Sequence, residues 1–361
     1  TSFSLRAGAP YFGSVDATPL FVHLVGELTR WSSWGVDEIG LVMPAVDRAL
    51  DWMLGDGDID HDGFVEYDCR SSTGLVNQGW KDSWDGIRHG DGRVAETPIA
   101  LAEVQAYVFA AFHARARLAT ALGDNAGAAA WSARAATLAD QFNDRFWLGP
   151  DKGFAVGLDR ENQPIDSVTS NMGHCLWTGI AAPEHASAVA KLLMSPEMWT
   201  GWGIRTLSSD NPGYDPLSYH CGSVWPHDST ICAAGLMRYG FVDEAHRIAN
   251  GLFDASEQFD GRLPELMTGI DRDWVGVPVR YPTSCTPQAW SAASPLYLLR
   301  ILLGLEPSDH ESIVIEPRMP AWLPDAKVEG VRVGSRRFSI AVSGRRRHVQ
   351  VMADAAPGAP V

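Results

Sequence analysis

The chain has 361 residues, 45% of them hydrophobic, and a net charge of −15. That supplies core for one large domain or two ordinary ones. It also argues against nucleic-acid partners, which need basic surface to displace counterions. No apolar run approaches the roughly 18 residues of a membrane span, and no signal-like apolar core follows the N-terminus.

Five cysteines (Cys69, Cys175, Cys221, Cys232 and Cys285) are odd in number and form no CxxC pair. They signal neither a disulfide framework nor a zinc site, so a reducing, cytoplasmic setting fits best. The opening at Thr1 rather than Met leaves room for a removed leader or upstream region.

Helical periodicity dominates from the start of the chain. It predicts helices over Pro19 to Trp31, Val36 to Leu54, Pro98 to Leu122, Ala126 to Phe146, Glu184 to Leu193, Ser223 to Arg238, Asp243 to Ala255 and Thr286 to Leu303. Proline falls at several helix starts and glycine at several stops. Between the pairs lie long stretches rich in Gly, Asp, Trp and Pro: Gly55 to Glu96, Gly149 to Gly173, Met194 to Gly222 and Gln258 to Cys285. Loops of that length carry function, and alternating short and long connections should gather them on one face of a ring of helical hairpins.

After Pro307 short β-branched runs take over: Ser312 to Glu316, Ala326 to Val333, Arg336 to Val342 and His348 to Met352. Val333-Gly334-Ser335-Arg336 reads as a tight hairpin. The basic run Gly344 to His348 reads as a solvated turn and edge strand. The chain therefore divides into a helical region, 1–306, and a β tail, 307–361, whose end from Ala353 should be disordered. The tail is expected to pack on the helices or on a further domain.

GxSxG, GxGxxG, Walker and HExxH motifs are all absent. Carboxylates remain, concentrated in loops beside the chain's fourteen tryptophans, the composition expected where two acids flank a glycosidic bond and indoles support sugar rings. In Asn77-Gln78-Gly79-Trp80-Lys81-Asp82-Ser83-Trp84-Asp85 two acids lie among indoles, where an apolar wall favours the protonated form; helix capping is the competing duty. In Gly261-Arg262-Leu263-Pro264-Glu265-Leu266 a glutamate follows a proline; the alternative is a surface acid paired with Arg262. The run Pro216 to Asp228 places His220, Trp225, His227 and Asp228 around a helix start, a supply of donors and acceptors for hydroxyls. Asp58, Asp60, Asp62 and Gly63 imitate the first half of a calcium loop, but the twelfth position is Cys69 instead of glutamate. No cofactor is expected beyond a loose Ca²⁺ site there; otherwise this acidic turn delivers Glu66 to the rim.

Together these runs resemble the glucosidase part of glycogen debranching enzymes, the amylo-α-1,6-glucosidase family. The resemblance also rests on Tyr11-Phe12-Gly13-Ser14-Val15-Asp16-Ala17-Thr18-Pro19-Leu20-Phe21 and Cys285-Thr286-Pro287-Gln288-Ala289-Trp290-Ser291. It implies a mainly α fold, an (α/α)6 toroid that cleaves with inversion, with Asp82 as general acid and Glu265 as general base. It further implies a pocket lined by Asp16, Glu66, Trp80, Lys81, Trp84, Asp85, His220, Trp225, His227, Asp228, Gln288 and Trp290. The carboxyls of an inverting pair stand about 6.5 to 9.5 Å apart, leaving room for water.

The expected partner is an oligosaccharide or small glycoside, with an α-glucosidic and specifically α-1,6 bond as the first choice. Trehalose, mannosyl- or glucosylglycerate and phosphorolysis by a related toroid are alternatives, as is a non-catalytic carbohydrate-binding or scaffold remnant. Twelve helices are implied and eight are read, so the first helices and an upstream domain are expected to be missing, or the ring to be completed by another chain.

Overall fold

The computed structural model describes residues 13–71, 74–309, 311–344 and 348–353. Tyr11, Phe12, Arg345 to Arg347 and the end of the chain after Ala353 lie outside the described residues. Ten helices are present among those described: α1 Ala17–Trp31, α2 Val36–Met53, α3 Ala102–Ala121, α4 Asn125–Phe146, α5 Asn171–Thr178, α6 Pro183–Leu193, α7 Pro226–Arg238, α8 Val242–Glu257, the single turn α9 Arg272–Val275 and α10 Ala289–Leu303. Two-residue strands β1 Ala100–Leu101 and β2 Gly157–Leu158 pair antiparallel within the helical region.

The helices form two layers, the toroid of hairpins that the periodicity predicts. Helix α1 packs on α3, α3 on α5, α5 on α7 and α7 on α10, making an inner layer; α2, α4, α6 and α8 pack outside as the hairpin partners of α1, α3, α5 and α7. The layers differ in sequence because they differ in environment. Helix α8 buries one stripe, Ala245, Ile248, Ala249, Leu252 and Ala255, whereas α3 is buried on nearly every side. Each fully buried Leu or Ile contributes about 1.5–3 kcal/mol, so α8 is held chiefly by its stripe. Close approach of α5 and α7 depends on Gly173 and Gly235: a Cβ on Gly235 would stand 2.7 Å from the Gly173 carbonyl oxygen.

Local chemistry sets the helix ends. Asp124 Oδ1 accepts from Gly127 N at 2.8 Å to start α4, and Glu38 Oε2 accepts from Gly35 N at 2.9 Å to start α2. Proline opens α6 and α7. Three predicted starts fall late. Val224 is bridged to Arg205 and Met267, so the chain stays extended past Ser223 and α7 begins at Pro226. Ile99 is bridged to Tyr67 and Ala100 to Leu158, so the chain stays extended until α3 begins at Ala102. Gln288 is extended, and its Oε1 accepts from Ser291 N at 3.1 Å, so α10 begins at Ala289.

Helix α10 stops at Gly304 (φ 59°), where a Cβ would meet the Glu316 carbonyl oxygen at 2.1 Å. The chain turns there into β3 Leu305–Asp309, which pairs with β4 Ser312–Ile315. Strands β5 Asp325–Val333, β6 Arg336–Ser343 and β7 His348–Ala353 form an antiparallel sheet, and Val333 pairs with Arg336 across the expected hairpin. This β element packs on the helical body: Leu303, Leu305, Val333, Phe338, Ile340 and Val342 bury together against Trp31, and Gly334 N donates to Trp31 O at 2.9 Å. Among the described residues no helix is long and apolar enough to cross a membrane.

Candidate active site

The long loops meet over the N-terminal ends of α1, α5, α7 and α10. Trp80 lies at the centre of this meeting. Its ring stacks on His174 of α5 at 5.9 Å and stands edge-on to His220, Trp225 and His227 of the segment that opens α7. Trp290, in the first turn of α10, packs on His227 at 4.3 Å. Val15 N donates to Gln78 O, pinning the start of α1 to the same loop.

Buried polar bonds hold the loop around Trp80 in shape. Asn77 accepts from Tyr67 Oη at 2.6 Å and donates to Ser83 O at 2.7 Å. Lys81 is buried and donates to Asn171 Oδ1 and Thr206 O, at 2.5 and 2.7 Å. Burial pushes its ammonium below the usual lysine range, while the charges of Asp228 and Glu103 oppose that shift.

Asp228 is also buried; its Oδ1 contacts His174 Nε2 at 2.8 Å, and His174 Nδ1 contacts Tyr107 Oη at 2.6 Å. Burial would raise the Asp228 carboxyl, but the His174 hydrogen bond and the charges of His174, Lys81 and His227 hold it low. Lys81 and Asp228 thus lie beneath the site as its foundation.

Two other acids adjoin this aromatic cluster, the half-exposed Asp82 two residues after Trp80 and the buried Glu265 next to Leu266. The Asp82 side chain is 47% exposed and lies 4.0 Å from His220 Nδ1. Partial burial first, then the negative charges of Asp16 and Glu265, raise its carboxyl above the usual aspartate value. His220 is buried and its imidazole is pushed well down by desolvation and by Lys81 and His227, so it is neutral; its Nδ1 is 2.9 Å from Ser83 Oγ.

Glu265 sits on an extended segment bridged through Met267 to Val224 on one side and Arg280 on the other. Its Oε1 accepts from Tyr219 Oη at 2.8 Å and its Oε2 from Cys285 N at 2.9 Å, bonds that a carboxylate accepts. Tyr219 lies between the two acids: burial and then the Glu265 hydrogen bond and charge raise its hydroxyl, and Asp82 adds to the effect. The two acids are near enough for the charge of Glu265 to act on Asp82, and they differ as a proton donor and a proton acceptor would: one raised by burial, the other with both oxygens engaged as acceptors.

The remaining expected site residues fall into distinct positions. Asp16 precedes α1, accepts from Ser14 Oγ at 2.6 Å, and is raised by burial. Trp84 is 67% exposed. Asp85 pairs with Arg88 at 3.2 Å, and Gln288 caps α10.

Glu66 belongs to a neighbouring cavity of about 720 Å³, lined also by Ser14, Asp58, Tyr67, Arg70 and Gln78. Carboxylate oxygens of Asp58, Asp60 and Glu66 lie within 4.8 Å of one another, and Asp62 Oδ1 instead accepts from Phe64 N at 3.0 Å. Burial, then Asp60, raises Glu66 to about 7. Tyr219, His174, Tyr107 and Asn171 were not anticipated. Tyr219 stood within a quoted motif, whereas His174 and Asn171 lie on a helix that the sequence did not reveal.

The helical toroid brings two acids beside a cluster of indoles, and the family it matches gives its class, a glycoside hydrolase. The family described as "Mannosylglycerate hydrolase MGH1-like glycoside hydrolase domain" matches residues 28–269, and the chain belongs to it.

Among curated proteins, mannosylglycerate hydrolase of Rubrobacter radiotolerans is 30% identical over 142 residues, 38% of this chain and 31% of that protein. Mannosylglycerate hydrolase MGH1 of Selaginella moellendorffii is 32% identical over 79 residues, 22% of this chain and 16% of that protein. The matches thus span less than a third of these relatives. A solved structure titled "Sialidase" superposes over 95% of this chain and 31% of its own, with a TM-score of 0.68 and 14% identity, a likeness of fold. The matched family is named for mannosylglycerate hydrolases rather than for debranching enzymes.

Proposed function

We propose that this chain carries the catalytic toroid of an inverting glycosidase acting on an α-mannoside of glycerate, with Asp82 as general acid and Glu265 as general base. The observation that carries the reading is the pair itself: Glu265 engaged by Tyr219 and Cys285, and Asp82 raised by burial and by the charges of Asp16 and Glu265. The substrate is supported by the family description and by the names of the two curated relatives.

In this mechanism Asp82 gives its proton to the glycosidic oxygen as the C1–O bond breaks, and glycerate leaves. Glu265 takes a proton from a water whose oxygen adds to C1 from the opposite face. The product is β-mannose. In this reading Trp80 and Trp225 form the apolar floor, and Asp16 and His227 bind hydroxyls. Asp85, paired with Arg88, is the weaker candidate for the acid.

The test follows the anomer released by proton NMR before mutarotation, using mannosylglycerate, glucosylglycerate, trehalose, maltose and isomaltose. β-Mannose formed first from mannosylglycerate is the expected result. α-Mannose formed first would overturn inversion, turnover of isomaltose alone would return the α-1,6-glucosidase reading, and sugar binding without any turnover would favour a non-catalytic module.

A further inference from the structure

A second groove lies on the outer wall, between the first half of α8 and the segment that follows β4. It encloses about 540 Å³ and is lined by Trp199, Asp243, Arg247, Asn250 and Trp322, among others. Helix α8 starts beside the C-terminal end of α7, whereas the cleft lies at the N-terminal end. The 13 residues of α7 rise about 1.5 Å each, so its two ends stand about 20 Å apart. The groove is therefore separate from the catalytic cleft.

Its lining combines two indoles with an acid and a guanidinium that make no ion pair among the described residues. Trp322 remains 42% exposed while its ring meets Phe253 edge-on at 5.9 Å. Trp199 is held by its backbone bond to Ser195 O and by the bridge to Ile204. The Arg247 guanidinium lies over the Trp199 ring at 5.5 Å. Among the described residues neither Arg247 nor Asp243 has an ion-pair partner, although they are four residues apart on one helix.

The exposed Trp322 indole offers apolar surface to the C–H face of a ring, and Trp199 beneath Arg247 backs the opposite wall. A carboxylate and a guanidinium without ion-pair partners among the described residues offer an acceptor and a donor to adjacent hydroxyls. The volume suits a small ligand. We propose that this groove is a second, non-catalytic binding site for a hexopyranoside, with the sugar ring against Trp322, facing Trp199 and the Arg247 that covers it, and its hydroxyls bonded to Asp243 and Arg247.

The test uses full-length protein labelled with 5-fluorotryptophan, with Trp199 and Trp322 resonances assigned through W199F and W322F. Titration with methyl α-D-mannopyranoside should shift both resonances saturably. Asp243→Asn and Arg247→Ala should each weaken the response at least about fivefold, while hydrolysis at the cleft is unchanged. The circular dichroism spectrum of each variant should match that of the parent. Silence of both resonances up to the solubility of the sugar overturns the proposal, as does an equal response to D-glycerate, which would mark an anion site at Arg247. Because the readout is local to the groove, its failure leaves the glycosidase reading intact, and loss of hydrolysis does not imitate it.

Discussion

Asp82 and Glu265 differ in what surrounds their oxygens, and the difference predicts how each variant fails. Asp82→Asn and Glu265→Gln keep shape but remove proton transfer, so each should lower kcat about 10²–10⁴-fold. The half-exposed Asp82 should change with little effect on the melting temperature, whereas Gln at 265 can accept only one of the two bonds from Tyr219 and Cys285 and should lower it. Activity within a few-fold of the parent in either variant would refute its role. Burial and the charges of Asp16 and Glu265 raise Asp82, so the alkaline limb of the kcat/KM profile should lie above the 3.8 of an ordinary aspartate. Asp16→Asn removes one of those charges, so the limb should move to lower pH; a shift to higher pH would contradict the geometry.

The runs holding the two proposed acids stood out in the sequence, because an acid set among tryptophans or after a proline in an apolar run is uncommon. Spacing alone left Asp82 and Asp85 level, and only the family resemblance singled out Asp82 and Glu265. Their support did not stand out. Tyr219 is one hydroxyl in a run full of hydrogen-bonding side chains, and only the register of Glu265 against Cys285 reveals which one it serves.

Long helices were read, whether striped like α8 or buried on nearly every side like α3, and a short buried one was not. The helices α2, α4 and α8 keep a one-sided stripe and clear starts, so their spans follow from period and caps. Helix α5 has eight residues, six of them buried, and begins inside what reads as a loop, so it offered no period to detect. With α5 hidden, the polar chain Tyr107, His174 and Asp228 was hidden too. Strand β3 escaped because it follows Gly304 directly and contains Pro307.

At this scale the acidic turn from Gly55 to Asp68 carries its own prediction. Folding raises Glu66 from 4.5 to about 7, so the folded state binds its proton more tightly than the unfolded chain. Stability from this group is full below about 4.5 and falls as pH climbs through about 7, by at most about 3 kcal/mol. Glu66→Gln should therefore raise the melting temperature at pH 8 and leave it nearly unchanged at pH 4; a fall at pH 8 would count against the shift.

In the molecule as a whole, the ring is bridged between α10 and α1 by long side chains: Arg300 reaches Glu27 at 3.8 Å and lies over Trp31 at 4.9 Å. Nearby apolar surface is uncovered. Phe21, Leu24 and Leu28 form an exposed stripe on α1, and Leu296 is 71% exposed on α10. Contiguous apolar surface of this kind drives association. Light scattering should show mass rising with protein concentration, and Leu24→Glu combined with Leu296→Glu should restrain it. An invariant monomer mass in the parent would dispose of this expectation.

The amide of Cys285 donates to Glu265 while the residue itself is exposed. This gives the cleft a chemical reporter of occupancy. A maleimide should reach Cys285 far faster than the buried Cys175, Cys221 and Cys232. Once attached, its bulk beside Glu265 should inactivate the enzyme, and saturating substrate should slow the labelling. Cys285→Ser should abolish that sensitivity while preserving turnover, because the hydrogen bond comes from the main chain and survives the exchange of sulfur for oxygen.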